Sequence, residues 1–226
     1  MRAIPFSPIL AASLVSTCLF VSPATATGQV SRRLPEAAPT LRVWIYVTGA
    51  LDPADRDRAR QIADDLLASA GMAVEWRTCD AAEACSRAID PSPNVTLILT
   101  SAMRSTCGTV ALERSGLSAT VLISVPCATD VVLDVTRGPA GRSNPLFSTL
   151  ETPHLLGAAM AHELGHVLGL SHAPIGMMRA RLDMDGMLAL RRGELRFTRR
   201  EVAVMRASTM WQGLLAVGPA APPRKP

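Results

Sequence analysis

Three of the chain's four histidines stand close together as His162, His166 and His172, with Glu163 directly after the first. Residues four apart lie on one face of a helix, so His162 and His166 can share a metal ion. Neutral imidazole suits zinc, and two ligands on one rigid helix give a well-fixed start to a tetrahedral site. Glu163, one position further on, sits beside such an ion rather than on it. There it can take a proton from a zinc-activated water and return it to a leaving amine, acting as general base and then acid.

The remaining parts of a catalytic site follow in order. Gly169 stands where a helix can end in a left-handed turn, which glycine tolerates best. The chain then doubles back, and His172 can reach the same ion as third ligand, leaving a fourth position for water and substrate. Pro174 discourages a return to helix. The pair His162/His166 with Glu163 is a short pattern. Adding Gly169 and His172 at fixed places makes a chance match roughly a thousandfold rarer.

The complete run of His162, Glu163, His166, Gly169 and His172 spells H-E-x-x-H-x-x-G-x-x-H and resembles the metzincin clan of zinc endopeptidases. Metzincins carry a methionine under the zinc after the third histidine. Met178 in Ile175-Gly176-Met177-Met178-Arg179 is similar to that Met-turn residue, with Met177 as the alternative. The resemblance implies one catalytic Zn2+, a peptide or protein substrate and an α/β (α+β zincin-like) fold. That fold would be a mixed twisted sheet of about four to five strands with a buried active-site helix and a C-terminal helix. One departure stands out. Some metzincins place a Tyr within two positions of the Met-turn methionine, whereas Tyr46 is the sole tyrosine here.

Two other readings compete. The chain could be a non-catalytic exported binding protein pinned by a structural zinc, or a zinc hydrolase of a non-peptide amide. Glu163 favours catalysis over the pin, because a structural site needs only ligands. The fourth histidine, His154, stands about two turns before His162 and reads as a solvated first-turn residue. Asp183-Met184-Asp185-Gly186 lacks calcium-loop spacing and reads as a turn. Met160, Met184, Met187, Met205 and Met210 read as core filler, and Arg191-Arg192 and Arg199-Arg200 as solvated surface.

The elements that must position these residues are legible in outline. Leu41–Thr48, Met72–Thr78, Asn94–Thr100 and Ala119–Val125 read as strands, the third apolar enough to be central. Asp52-Pro53 opens a helix with Ala59, Ile62, Ala63, Leu66 and Leu67 on one face, stopped by Gly71. A buried helix runs from Pro153 to about Leu168. Residues 137–144 read as a loop and 179–196 as irregular. A last helix opens at Phe197-Thr198 and continues through Leu215, with Val202, Met205 and Trp211 inward. The strand Ala119–Val125 is the expected edge strand beside the cleft, to which a peptide could add by backbone hydrogen bonds.

The 226 residues suit about one domain, and at 48% apolar they can bury a sizeable core. The net charge of +4 comes without a Lys/Arg run interleaved with aromatics, so nucleic acid is a poor partner. Residues 1–26 read as a signal peptide: Arg2, an apolar stretch from Ile9 to Val21, then Ala24-Thr25-Ala26 as cleavage site. The stretch falls short of the roughly 20 apolar residues of a spanning helix, so no stable membrane span is expected after signal removal. Lipidation at Cys18 is the alternative. A loose leader (27–40), a catalytic domain (41–214) and a disordered tail (215–226) complete the expected organisation, exported to periplasm or medium. The sequence leaves the oligomeric state open. Signal removal leaves Cys79, Cys85, Cys107 and Cys127, an even count that suggests two disulfides in an oxidising compartment. Of the three pairings, Cys79–Cys85 with Cys107–Cys127 is favoured. A cysteine zinc site ranks low, since no C-x-x-C occurs.

Overall fold

The sheet is built around β3, Asn94–Thr100, whose alternate residues Val95, Leu97 and Leu99 are fully buried. In this computed structural model the described residues are 38–79, 93–103, 106–137 and 142–217. β1 (Thr40–Thr48) and β5 (Ser118–Ser124) flank β3, both parallel to it. β2 (Ala73–Thr78) extends the sheet beyond β1, again parallel. β4 (Gly108–Leu112) closes the other side, antiparallel to β5, giving the order β2-β1-β3-β5-β4. This is the expected mixed five-stranded α/β sheet, with the Asn94 strand at its centre.

One expectation about the sheet is overturned. The Ala119 strand lies between β3 and β4 and is not an edge. The edge on that side is β4, which the sequence reading did not assign. Its residues Thr109, Ala111 and Leu112 are exposed, so the hydrophobic alternation that marks a half-buried strand is weak there.

Helix α1 (Pro53–Ala68) starts as expected, with the Asp52 carboxylate accepting from the Ala54 N–H at 2.7 Å. It buries Ala59, Ala63, Leu66 and Leu67. Helix α3 (Thr152–Val167) is the buried site helix, and Leu156, Met160, Ala161 and Leu164 have no exposure. The two helices meet at Gly157, where a Cβ would come within 2.6 Å of the Ala59 carbonyl and 2.7 Å of the Ile62 Cβ. Such contact excludes any side chain at 157, so this glycine sets how closely α1 braces the site helix.

Between β5 and α3 lies a helix the sequence reading missed, α2 (Val125–Thr136). Ser124 ends the strand and caps the helix, its hydroxyl accepting from the Cys127 N–H at 3.1 Å. Val125 belongs to this helix, not to the strand. Residues 179–196 are also more ordered than expected. Asp183 caps α4 (Met184–Arg191), accepting from the Gly186 N–H at 2.8 Å, so Asp183–Gly186 is a helix start rather than a free turn. The final helix is two. α5 (Arg199–Ala207) ends at Ser208, whose extended backbone and hydroxyl then cap α6 (Thr209–Val217) through the Trp211 N–H. Met160, Met187, Met205 and Met210 are core residues as expected, whereas Met184 is 54% exposed.

Cys107 and Cys127 form the favoured disulfide, tying the chain just before β4 to the first turn of α2. Cys79 is disulfide-bonded too, and its expected partner Cys85 lies outside the described residues. The segments read as signal peptide, most of the leader, Cys18 and residues 218–226 also lie outside them. Among the described residues no helix is long and apolar enough to cross a membrane.

Candidate active site

Helix α3 presents His162 and His166 on one face, and both are half-buried. The helix ends at Leu168, and Gly169 takes a left-handed backbone with φ of 85°. A side chain would strain there, so the glycine lets the chain reverse and bring the exposed His172 back over the helix. The three rings pack together with centroids 4.8 Å apart for His162–His166 and His166–His172, and 5.3 Å apart for His162–His172. One ring nitrogen from each lies within 4.8 Å of the others. The structure therefore brings together the three histidines singled out in the sequence.

Hydrogen bonds fix which nitrogen each helical histidine offers. His162 Nδ1 faces the Met177 carbonyl at 3.0 Å, and His166 Nδ1 faces the Leu170 carbonyl at 2.7 Å. A carbonyl only accepts, so both Nδ1 atoms carry the proton and both Nε2 atoms present a lone pair. His166 Nε2 lies 3.3 Å from His172 Nε2. Two nitrogens so close need a proton or a cation between them. Burial draws His162 down to about 4, the Met177 carbonyl opposing and the neighbouring histidines adding to the fall. At neutral pH its lone pair is thus free to bind. Three converging imidazoles, two of them with tautomers held by backbone carbonyls, are a donor set that fits Zn2+.

Glu163 points off this cluster. It is 8% exposed, and among the described residues no donor meets its carboxylate. Burial pushes it up to about 7. Gly108, the first residue of β4, lies directly over it: a Cβ on Gly108 would fall 2.6 Å from Glu163 Cγ and closer still to a carboxylate oxygen. Nothing in the sequence marked Gly108, because its role arises only when β4 folds over α3.

Met178 is fully buried, and a Cβ on Gly165 of α3 would come within 2.6 Å of its sulfur. Met177 is also buried, but it serves the site through its backbone carbonyl. The Met178 side chain lies against α3 at Gly165.

His154 departs from expectation. It is half-buried, and its Nδ1 accepts from the Glu151 N–H at 3.2 Å, closing the first turn of α3. Burial and the nearby Arg58 hold it below the usual histidine range. It stands apart from the triad as a helix cap.

A cleft of about 540 Å³ opens beside His162, Glu163 and His172. Its lining is mostly apolar, including the Cys107–Cys127 disulfide, Val131, Leu155, Ala158 and Met187, with Arg179 and Arg181 as its cations. Of these, Arg179 was read only as the residue after Met178 and Cys127 only as a disulfide cysteine, and Val131 not at all.

No protein-family profile and no curated protein matches this sequence. Among solved structures the chain is similar to an archaemetzincin from Methanopyrus kandleri, at 14% identity and a TM-score of 0.39, covering 77% of this chain and 97% of that one. It is also similar to metalloproteinase-II from Bacteroides fragilis, at 12% identity and a TM-score of 0.47. That alignment covers 79% of this chain and 54% of the other, so the chain spans about half that protein's length. At such distances neither likeness says which residues of this chain act.

Proposed function

We infer that this protein is an exported zinc-dependent endopeptidase, with His162, His166 and His172 holding one Zn2+ and Glu163 as general base and acid. The observation that carries the reading is Glu163. It is a buried carboxylate that no donor among the described residues meets, poised near neutral pH, beside three histidines whose ring nitrogens converge at a cleft. A structural metal site has no use for such a group, and its burial without a partner costs stability. When bound, zinc supplies Lewis acidity, which polarises a carbonyl and lowers the pKa of water.

The chain's own residues do the rest. With its pKa near the working pH, Glu163 can accept a proton from water and later hand it to a departing amine. Gly108 leaves that carboxylate room, since any side chain there would displace it. Met178 fills the space under α3 and holds the histidine platform level. β4 is the outermost strand on its side of the sheet and begins over Glu163. A peptide added along that edge would run past the carboxylate, which supports an extended peptide substrate. The apolar cleft would then take an apolar side chain, with Arg179 and Arg181 attracting a nearby carboxylate. The Cys107–Cys127 bond supports an oxidising compartment and hence export.

The test is mass-spectrometric cleavage of a diverse peptide library by zinc-loaded protein, beside Glu163→Gln. Cleavage by the wild type and its loss in a folded, zinc-binding variant is the expected result. No cleavage by zinc-loaded wild type would overturn the peptidase reading.

A further inference from the structure

Glu201 is a carboxylate that the mechanism above does not use. It lies in the first turn of α5, is 5% exposed, and among the described residues pairs with no cation. Part of its role is ordinary. Thr198 and Glu201 form a capping box, the Thr198 hydroxyl accepting from the Glu201 N–H at 3.2 Å and Glu201 Oε2 accepting from the Thr198 N–H at 2.6 Å. A cap of this kind works with the glutamate at the surface. Burying the charge without a cation is costly unless further donors meet it.

The further donor is the Met178 N–H, which reaches Glu201 Oε1 at 3.1 Å. That N–H shares a peptide unit with the Met177 carbonyl, which receives the His162 Nδ1–H at 3.0 Å. One flat amide thus has a buried carboxylate at its N–H end and a histidine at its carbonyl end. The Met178 carbonyl accepts from the Ala173 N–H at 2.8 Å, next to His172. Gly176 lies against the same carboxylate: a Cβ there would fall 2.7 Å from Glu201 Oε2 and 2.6 Å from Thr198 Cγ2. The turn is therefore seated on Glu201, and a side chain at 176 would lift it off.

We propose that Glu201 is a positioning residue for the metal centre, acting through the Met177–Met178 amide to hold His162 in its Nδ1–H tautomer and to seat the turn that carries His172. A negative charge at the N–H end polarises the amide and makes its carbonyl a stronger acceptor. Hydrogen bonds in such chains strengthen one another by roughly 10–30% each. The Nε2 lone pair of His162 becomes a better donor to a cation in consequence. His166 lies outside this chain, since its Nδ1 is held by Leu170. The proposal rests on the zinc reading for its purpose, but not for its geometry.

The experiment compares wild type, Glu201→Ala, Glu201→Gln and Thr198→Ala. Imidazole ¹⁵N shifts are read on metal-free protein, zinc affinity by chelator competition, and folding by circular dichroism. The expected result for Glu201→Ala is a move of His162 away from the pure Nδ1–H signature, with His166 unmoved and zinc bound about 10-fold more weakly. Thr198→Ala breaks the cap from its other side, so it should lower the melting temperature and leave the His162 shifts in place. Glu201→Gln keeps shape and one acceptor oxygen without the charge, and should move His162 partway; it decides the matter if Glu201→Ala does not fold. Unchanged His162 shifts in a folded Glu201 variant would overturn the proposal, as would Thr198→Ala moving them equally. A wild type that cleaves no peptide yet shows the Glu201-dependent shifts would refute the peptidase reading alone.

Discussion

In metal-free protein, Glu163→Gln should remove one pH-dependent loss of stability. The folded-state pKa of Glu163 is about 7 against an ordinary 4.5, raised by burial. The folded chain therefore holds this proton more tightly than the unfolded chain does. Below pH 4.5 the carboxyl is neutral in both states and costs nothing. From 4.5 to 7 the unfolded chain ionises first, so stability falls with rising pH by up to about 1.4 kcal/mol per pH unit. Above 7 both states are charged and the deficit levels off at about 3 kcal/mol, from roughly 2.5 pH units of difference. Glutamine stays neutral throughout and escapes this loss. The assay is urea unfolding of both proteins in chelator from pH 4 to 8. The stability of Glu163→Gln minus that of wild type should grow from its pH 4 value by about 3 kcal/mol at pH 8. Any packing change made by the amide shifts this difference by a constant, and His162 and His154 contribute alike to both proteins. A difference that stays flat across the range would show that Glu163 is not held neutral by burial, and would remove the support for its role as a base near pH 7.

Replacing Gly108 by alanine puts a methyl group where the Glu163 side chain lies, so peptide cleavage should fall by about 100-fold while zinc content stays the same; a wild-type rate would show that the carboxylate moves aside freely. Opening the Cys107–Cys127 bond by paired serines should cost about 3 kcal/mol of stability by urea unfolding, from the 20-residue separation it closes. A loss too small to measure would mean that β4 and α2 hold each other without it. Zinc at about 1,000 times its Kd should stabilise wild type by about 4 kcal/mol, read as a melting shift, and Glu163→Gln should keep that shift. His166→Ala should lose most of it, and an equal shift there would place the ion elsewhere.

The triad was legible because its spacing is local: a four-residue step on α3, then a glycine reversal to His172. The outer strands and helices were less so. Val125 is β-branched and extends an apolar strand on paper, but Ser124 and Pro126 together spell a helix start, and the Ser124 hydroxyl takes the Cys127 N–H. Gly186 suggested a turn, whereas Asp183 spends its carboxylate on that very N–H to begin α4. Ser208 splits the last helix because its hydroxyl offers the backbone another partner. Thr198-x-x-Glu201 is visible as a capping box, but its reach to Met178 spans 23 positions along the chain, and no local pattern encodes that. The same holds for Gly108, and for β4 as the sheet edge. Both depend on which strands meet, a long-range outcome that a short, exposed segment does not announce.

The histidines differ in how they are carried. His162 and His166 ride on a helix braced by α1, while His172 sits exposed on the turn beyond Gly169. In the proposed zinc site the two helical histidines would therefore be the fixed donors, and His172 the one that an opening of the surface turn would release. Residence time of an ion there would follow how often that short segment opens, since the helix pair below would stay closed. Chelators should strip such a centre at a rate that tracks loop motion and leaves the fold standing, so metal exchange and unfolding become separate clocks.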